Sequence, residues 1–175
     1  MDAKSEHRLQ GEKLEQLPAL LRETGIDCWL VWVRGTIQTP DPVLPLVLGA
    51  DLVWPSALLF TAKGERIAIV GTYDADVVPH ELYSQVIPYT EGIAVVLRKE
   101  LDRIAPRTIG IDESRSDVAA DGLTAGMKAL LVDMLASTPH ATKLISAERL
   151  IGSLRGRKSA FEQAQIRDAV RITEQ

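Results

Sequence analysis

The sequence predicts an α/β (α+β) domain in which a mixed β-sheet lies between helices. Three observations predict it. Apolar runs of strand length alternate with segments of helical periodicity. Two of those runs flank a four-residue turn. One of them, Cys28 to Val33, is apolar without interruption, as in a strand covered on both faces. At 175 residues, with 46% hydrophobic and 25% charged side chains, the chain suits a single ordinary globular core.

Leu14, Leu17, Leu20 and Leu21 recur at helical spacing, and Gly25 follows where a C-cap glycine is expected. Pro18 inside that pattern implies a kink, or a restart with the proline in the first turn. After the strand at Cys28–Val33, residues 35–55 hold four prolines and two glycines and read as a long loop, a feature more often functional than idle. Residues 57–61 and 66–70 form a β-hairpin around Ala62-Lys63-Gly64-Glu65. Asp74 to Tyr83 reads as a short helix. Residues 85–89 read as an edge strand, because Pro88 cannot donate to a ladder.

A helix from about Gly92 to Ala105 carries Ile93, Val96, Leu97, Leu101 and Ile104 on one face, and Pro106 ends it. Residues 108–112 form another short strand. Leu123 to Ala136 reads as a helix with Leu123, Met127, Leu130, Leu131, Met134 and Leu135 inward. Leu144 to Ile151 opens the last section. Ser159 then suits the N-cap of a helix carrying Phe161, Ile166, Ala169, Val170 and Ile172. That helix is still in register at Gln175, so the chain is expected to be a piece severed from a longer one.

Charge and motif content narrow the function. With 24 acidic and 20 basic residues the net charge is −4, which argues against nucleic acid as a partner. The single cysteine, Cys28, excludes a disulfide framework or a cysteine-built zinc site and fits a reduced, cytoplasmic compartment. Met1 to Lys13 has no apolar run for a signal peptide, and the greasy stretch 43–60 is broken by Pro45, Gly49, Asp51 and Pro55, so no membrane span is expected.

His7, His80 and His140 are too scattered to form a metal motif and read as surface or loop residues. Asp74 and Asp76 fit helix capping better than metal binding. Asp112 and Glu113 end a strand, as catalytic carboxylates do in ribonuclease-H-like nucleases. The strand 28–33 offers no carboxylate to join them, which leaves a nuclease reading weak. No nucleophile elbow or phosphate-binding glycine loop is present, and Cys28 reads as inert packing. Arg149, Arg155, Arg157 and Lys158 read as a solvated linker face. No catalytic or metal-ligating residue is predicted.

The C-terminal stretch Ser146-Ala-Glu-Arg-Leu-Ile-Gly-Ser-Leu-Arg-Gly-Arg-Lys-Ser-Ala-Phe-Glu162, running on to Ala169, resembles the interdomain junction of the creatinase/prolidase/aminopeptidase P family. Leu154, Arg155, Lys158, Ser159, Glu162 and Ala169 carry the likeness. The helix and strand start of residues 14–27, the hairpin of 61–70 and Ile109-Gly110-Ile111-Asp112 are similar to that family's opening elements. The resemblance implies a creatinase/prolidase N-terminal domain of ribonuclease-H-like topology over residues 1–155, with 156–175 starting the linker helix to a catalytic domain.

It further implies a fragment inactive alone that aids oligomerisation, as a homodimer, and shapes substrate access. The parent would be a metal-dependent Xaa-Pro aminopeptidase or dipeptidase acting on short proline-containing peptides. No cofactor belongs to this chain. A dinuclear divalent centre (Mn, Co or Zn), held by two Asp, one His and two Glu, is implied for the C-terminal catalytic domain, the chain's partner in the same polypeptide. The loop 35–55, with Arg34, Asp41 and Trp54, is the candidate surface facing the cleft or a partner subunit; the opposing reading is a loop packed on its own sheet with Trp54 as a plug. Many members carry Tyr-Leu-Thr-Gly after the first strand where this chain has Leu46 to Trp54, and residues 120–126 also depart from the common pattern. The alternative function is a stand-alone protein-interaction module on the same fold.

Overall fold

The computed structural model describes residues 7–174. A helix α1 (Arg8–Thr24) leads into β1 (Cys28–Val33), and a short helix α2 (Leu44–Val47) interrupts the loop before the hairpin of β2 (Ser56–Thr61) and β3 (Arg66–Gly71). A 3-10 turn at Thr72–Val77 precedes β4 (Gln85–Tyr89) and α3 (Ile93–Ile104). Then come β5 (Ile109–Ile111), a second 3-10 turn (Val118–Ala120), α4 (Ala125–Leu135), β6 (Leu144–Ser146), α5 (Glu148–Gly156) and α6 (Ala160–Thr173).

The six strands form one mixed sheet in the order β4-β3-β2-β1-β5-β6. β1, β2 and β3 make an antiparallel meander, while β5 pairs parallel to β1 and β6 parallel to β5. That core arrangement is the expected ribonuclease-H-like one, extended by β4 running parallel to β3. Pro88 sits on this edge strand, where its missing N–H costs no ladder bond.

The unbroken apolar run of β1 now has its reason. Successive side chains leave a strand on opposite faces, so Trp29, Val31 and Val33 enter one core with α1, the loop residues Val43, Leu44, Val47, Leu48 and Leu52, and α5. Cys28, Leu30 and Trp32 enter the other with α3 and α4. Both layers dock on a central strand that has no solvated face, and all six β1 residues are buried. Burial pushes the Cys28 thiol up to about 12, so it stays an uncharged packing group.

Several elements differ from expectation. α1 runs through Pro18 without interruption and ends at Gly25 in the left-handed conformation. The helix expected at Asp74–Tyr83 is instead the 3-10 turn at Thr72–Val77: Val78 precedes Pro79 and is extended, a conformation the following proline ring favours. α4 starts at Ala125, with Thr124 as N-cap; Leu123 is buried ahead of the helix, and Leu130 faces solvent rather than the core. The short strand β6 falls where no strand was foreseen. His140 lies in a loop but is 2% exposed, its Nε2 2.8 Å from Asp102 Oδ1, so it is not a surface residue. Among the described residues no helix is long and apolar enough to cross a membrane.

Candidate functional site

The loop between β1 and β2 is a folded unit with its own anchors. Gly35 and Thr36 donate backbone N–H groups to Val53 and Leu52 carbonyls, closing its neck. The Thr36 hydroxyl donates to Asp51 Oδ1 (2.8 Å) and accepts from Leu52 N (2.9 Å). Five apolar side chains of the loop, Val43, Leu44, Val47, Leu48 and Leu52, are buried against α1 and the sheet, which is why a segment of low periodicity is ordered at all.

Arg34 is exposed at the end of β1, over a small cavity of about 60 Å³ shared with Trp32, Thr39, Gly122, Thr124 and Met127. Trp54 is half-buried. It stacks on Gly71, where an added Cβ would lie 2.7 Å from its ring, and it meets Tyr73 edge-on at 5.9 Å and Tyr89 at 5.8 Å. Asp41 is 3% exposed, and its Oδ1 accepts from Val43 N at 2.8 Å. Its Oδ2 occupies the space a side chain at Gly122 would take, 1.9 Å from that position, and has no hydrogen-bond partner.

The three candidates therefore do different work. Arg34 is exposed to solvent, Trp54 is packed in an aromatic cluster, and Asp41 points inward. A wider concavity of about 320 Å³ opens beside Asp41 between α1 and the loop, lined by Gln10, Thr36, Leu44, Gly49 and Asp51 among others.

Asp74 is a residue whose role the sequence misassigned. Rather than capping its 3-10 turn, its buried carboxylate accepts from Trp54 N (2.8 Å) and Val53 N (3.2 Å), pinning the end of the loop; Asp76 remains exposed.

A second region carries the C-terminal motif. Lys13, fully buried, donates to the Leu154 carbonyl (2.7 Å) and the Arg157 carbonyl (2.9 Å), and pairs with Glu162 Oε2 at 2.7 Å. Ser159 and Glu162 form a reciprocal capping box at the start of α6. Burial works against Glu162, yet hydrogen bonds from Lys13 and Ser159 N hold its carboxyl below the usual range. Glu12 accepts from Phe161 N at 2.7 Å while Arg8 lies over the Phe161 ring. The stretch from Leu154 to Glu162, from the end of α5 to the start of α6, is thus clamped onto α1.

No protein-family model matches the sequence, and no curated protein does. Solved structures do. An X-Pro aminopeptidase from Thermotoga maritima is similar over 92% of this chain and 40% of its own length, with TM-score 0.64 and 18% identity. The creatinase/prolidase N-terminal domain of an X-Pro dipeptidase from Streptococcus pyogenes is similar over 82% of this chain and 98% of that one, with TM-score 0.55 and 13% identity.

The fold is that of a creatinase/prolidase N-terminal domain. The N-terminal domain of the cytoplasmic peptidase PepQ from Mycobacterium tuberculosis H37Rv is also similar, with TM-score 0.52 and 16% identity, over 83% of this chain and 97% of that one. The chain spans about 40% of the length of the Thermotoga enzyme.

Within this creatinase/prolidase N-terminal fold, the junction motif is legible as mechanics: Lys158 and Arg155 stay near the surface, while Leu154, Ser159 and Glu162 make the clamp. The basic cluster is a solvated face, with Arg157 paired to Glu23 at 3.0 Å and Arg155 donating to the Pro42 carbonyl. Among the described residues no group of three or more His, Cys, Asp or Glu side chains is placed to hold a metal. Lys13 and Glu12, the other half of the clamp, went unread; the one sequence signal was a lysine standing beside Leu14 on the apolar stripe of α1.

Proposed function

We propose that this chain serves as the non-catalytic N-terminal domain of an Xaa-Pro peptidase, of the aminopeptidase P or prolidase class. The supporting observation is the match along nearly all of this chain to less than half of an X-Pro aminopeptidase. In this reading the partner is a C-terminal catalytic domain of the same polypeptide, whose dinuclear divalent metal (Mn, Co or Zn) polarises the scissile carbonyl and generates hydroxide. The present residues supply walls. The ordered loop with exposed Arg34 faces the cleft, admits short proline-containing peptides and excludes larger chains. A homodimer in the cytoplasm completes the assignment.

The clamp supports this division of labour. A domain that shapes a distant cleft must hold its connecting helix at a fixed angle, and buried Lys13 with Glu162 gives α6 a defined direction. The test is direct. The coding sequence after Gln175 is expected to contain two Asp, one His and two Glu ligands, and the purified chain, supplied with Mn, Co or Zn, is expected to leave Xaa-Pro peptides intact. Turnover by the isolated chain overturns the reading.

The stand-alone interaction module is the second reading. Ile37, Val53 and Tyr73 are exposed around the same loop, an apolar surface that a protein partner could cover. A natural stop codon directly after Gln175 would favour it.

A further inference from the structure

A concavity of about 370 Å³ opens at the start of β1, at the other end of that strand from Arg34. Three segments of the chain line it: Asp27 just ahead of β1, the hairpin turn with Thr61, Lys63 and Glu65, and the passage from α3 to β5 with Arg103 and Arg107. Ala105 turns the chain in that passage. It caps α3 in the left-handed conformation (φ 49°), with its N–H bonded back to the Leu101 carbonyl, so the helix stops between the two arginines.

The walls are cationic in a chain that is acidic as a whole. Lys63, Arg103 and Arg107 stand against Asp27 and Glu65, whereas the net charge of the chain is −4. Two neighbours leave that local excess unchanged: Arg22 of α1 donates to the Ala62 carbonyl at 2.7 Å, and buried Glu100 accepts from Arg103. Which groups are already spent decides the sign of a ligand. Both Asp27 oxygens are taken by Arg107, Oδ2 by its backbone N–H and Nε and Oδ1 by Nη2. Glu65 Oε2 is taken by Arg103 Nη2 at 2.7 Å. The arginines keep donors in reserve, since a guanidinium carries five N–H groups and neither residue spends its Nη1 among the described residues. Lys63 is exposed and enters no ion pair among the described residues. The dipole of α3 accounts for a cation at its C-terminal end, which covers Arg103. It does not account for Lys63, which the hairpin brings, or for Arg22, which α1 brings.

We propose that this concavity binds a small phosphate monoester, with the phosphate among Lys63, Arg103 and Arg107 and the organic body against Ala62, Ile104 and Pro106. The donors arrive from three separate segments, and a phosphate monoester has three terminal oxygens to meet them where a carboxylate has two. Its charge of about −2 at neutral pH suits a wall with cations in excess. The volume lies at the lower end of the roughly 300–1,000 Å³ that small-molecule sites enclose. The side chain of Arg107 is 89% exposed, so it can turn its free edge to the ligand without leaving Asp27. The proposal stands whether or not the chain belongs to a peptidase.

Titration of the full chain with phenyl phosphate, followed by amide NMR, tests it. Saturable shifts are expected at Lys63, Gly64, Glu65 and Arg107, and they are expected to persist in about 0.15 M NaCl, which screens a mere surface patch. Lys63→Gln removes an exposed charge and leaves the arginine pairs in place. It is expected to weaken binding roughly tenfold, the scale of one charge-assisted hydrogen bond. Arg149→Gln removes the same charge from exposed α5, outside the concavity, and is expected to leave binding unchanged. Shifts that never saturate, or that vanish in salt, would overturn the proposal. So would an equal loss in Arg149→Gln, which would make the effect one of overall charge, or benzoate binding as tightly as phenyl phosphate, which would show that the phosphate is not what is recognised.

Discussion

Two buried charge clusters sit on the same face of the sheet and solve the same problem in opposite ways. At the α1–α6 clamp, one buried ammonium meets two carbonyls and a carboxylate, and its partner is further held by a capping box. Near the β1–β2 loop, the buried carboxyls of Asp41 and Asp112 have no cationic partner among the described residues, and an oxygen of each is left without a hydrogen bond. The first arrangement satisfies its buried charge with partners of its own. The second leaves one oxygen of each carboxyl unsatisfied. The contrast teaches that burial of a charge by itself predicts neither stability nor lability; the count of opposing partners decides.

The comparison breaks most sharply at Lys13. Lys13→Met leaves Glu162 and two carbonyls without their donor, and a loss of about 3 kcal/mol is expected in urea unfolding, since removing one member of a buried pair strands the other. A loss near zero would show that water replaces the ammonium. At the β1–β2 loop, Gly122→Ala drives a methyl into Asp41 Oδ2, and the loop must shift at a cost of about 2 kcal/mol. Faster exchange of Val43 and Leu44, with α6 unaffected, would place that damage in the loop.

Ser159→Ala removes the cap of α6 and is expected to cost about 1 kcal/mol, read in the same unfolding assay. The pH arms of the two clusters run in opposite directions. Glu162 lies below its ordinary value, so its contribution is present at neutral pH and is lost as pH falls through the folded value; buried Asp41 and Asp112 lie above theirs, so their contribution is lost as pH rises. Stability measured from acid to alkali in wild type and in Glu162→Gln is expected to separate the arms, with only the acid-side loss reduced in the variant. Arg34→Ala is expected to change stability by under about 0.5 kcal/mol because the side chain is exposed. Under the proposed peptidase reading it is also expected to alter kcat/KM for short peptides several-fold in the full-length protein, and an unchanged value would count against a cleft-facing Arg34.

Legibility in the sequence followed the range of the interaction. β1, the hairpin, the edge strand with Pro88 and the Ser159 cap were readable because each is specified by neighbours in the chain: an apolar run, a turn, a missing donor, a hydroxyl at a helix start. β6 was not, because a strand of three residues has no periodicity and is defined only by pairing with Ile109, Gly110 and Ile111. The interior of the 35–55 loop escaped for a related reason. Its leucines and valines follow no period, and their burial depends on where α1 happens to lie. At the candidate surface, Arg34 and Trp54 were visible as unusual residues in a long loop, but the inward turn of Asp41 depends on the space left at Gly122, a contact between distant segments of the chain.

The alternation of β1 also provides built-in optical reporters. Trp29 lies in the α1 layer beside Phe60, Trp32 lies in the α3–α4 layer with its indole donating to the Met127 carbonyl, and Trp54, half-buried at the loop end, packs on the rim of that second layer beside Tyr73 and Tyr89. Variants that keep one indole at a time would assign fluorescence changes during unfolding separately to each layer and to the loop, so that the order in which they come apart can be timed in a single mixing experiment.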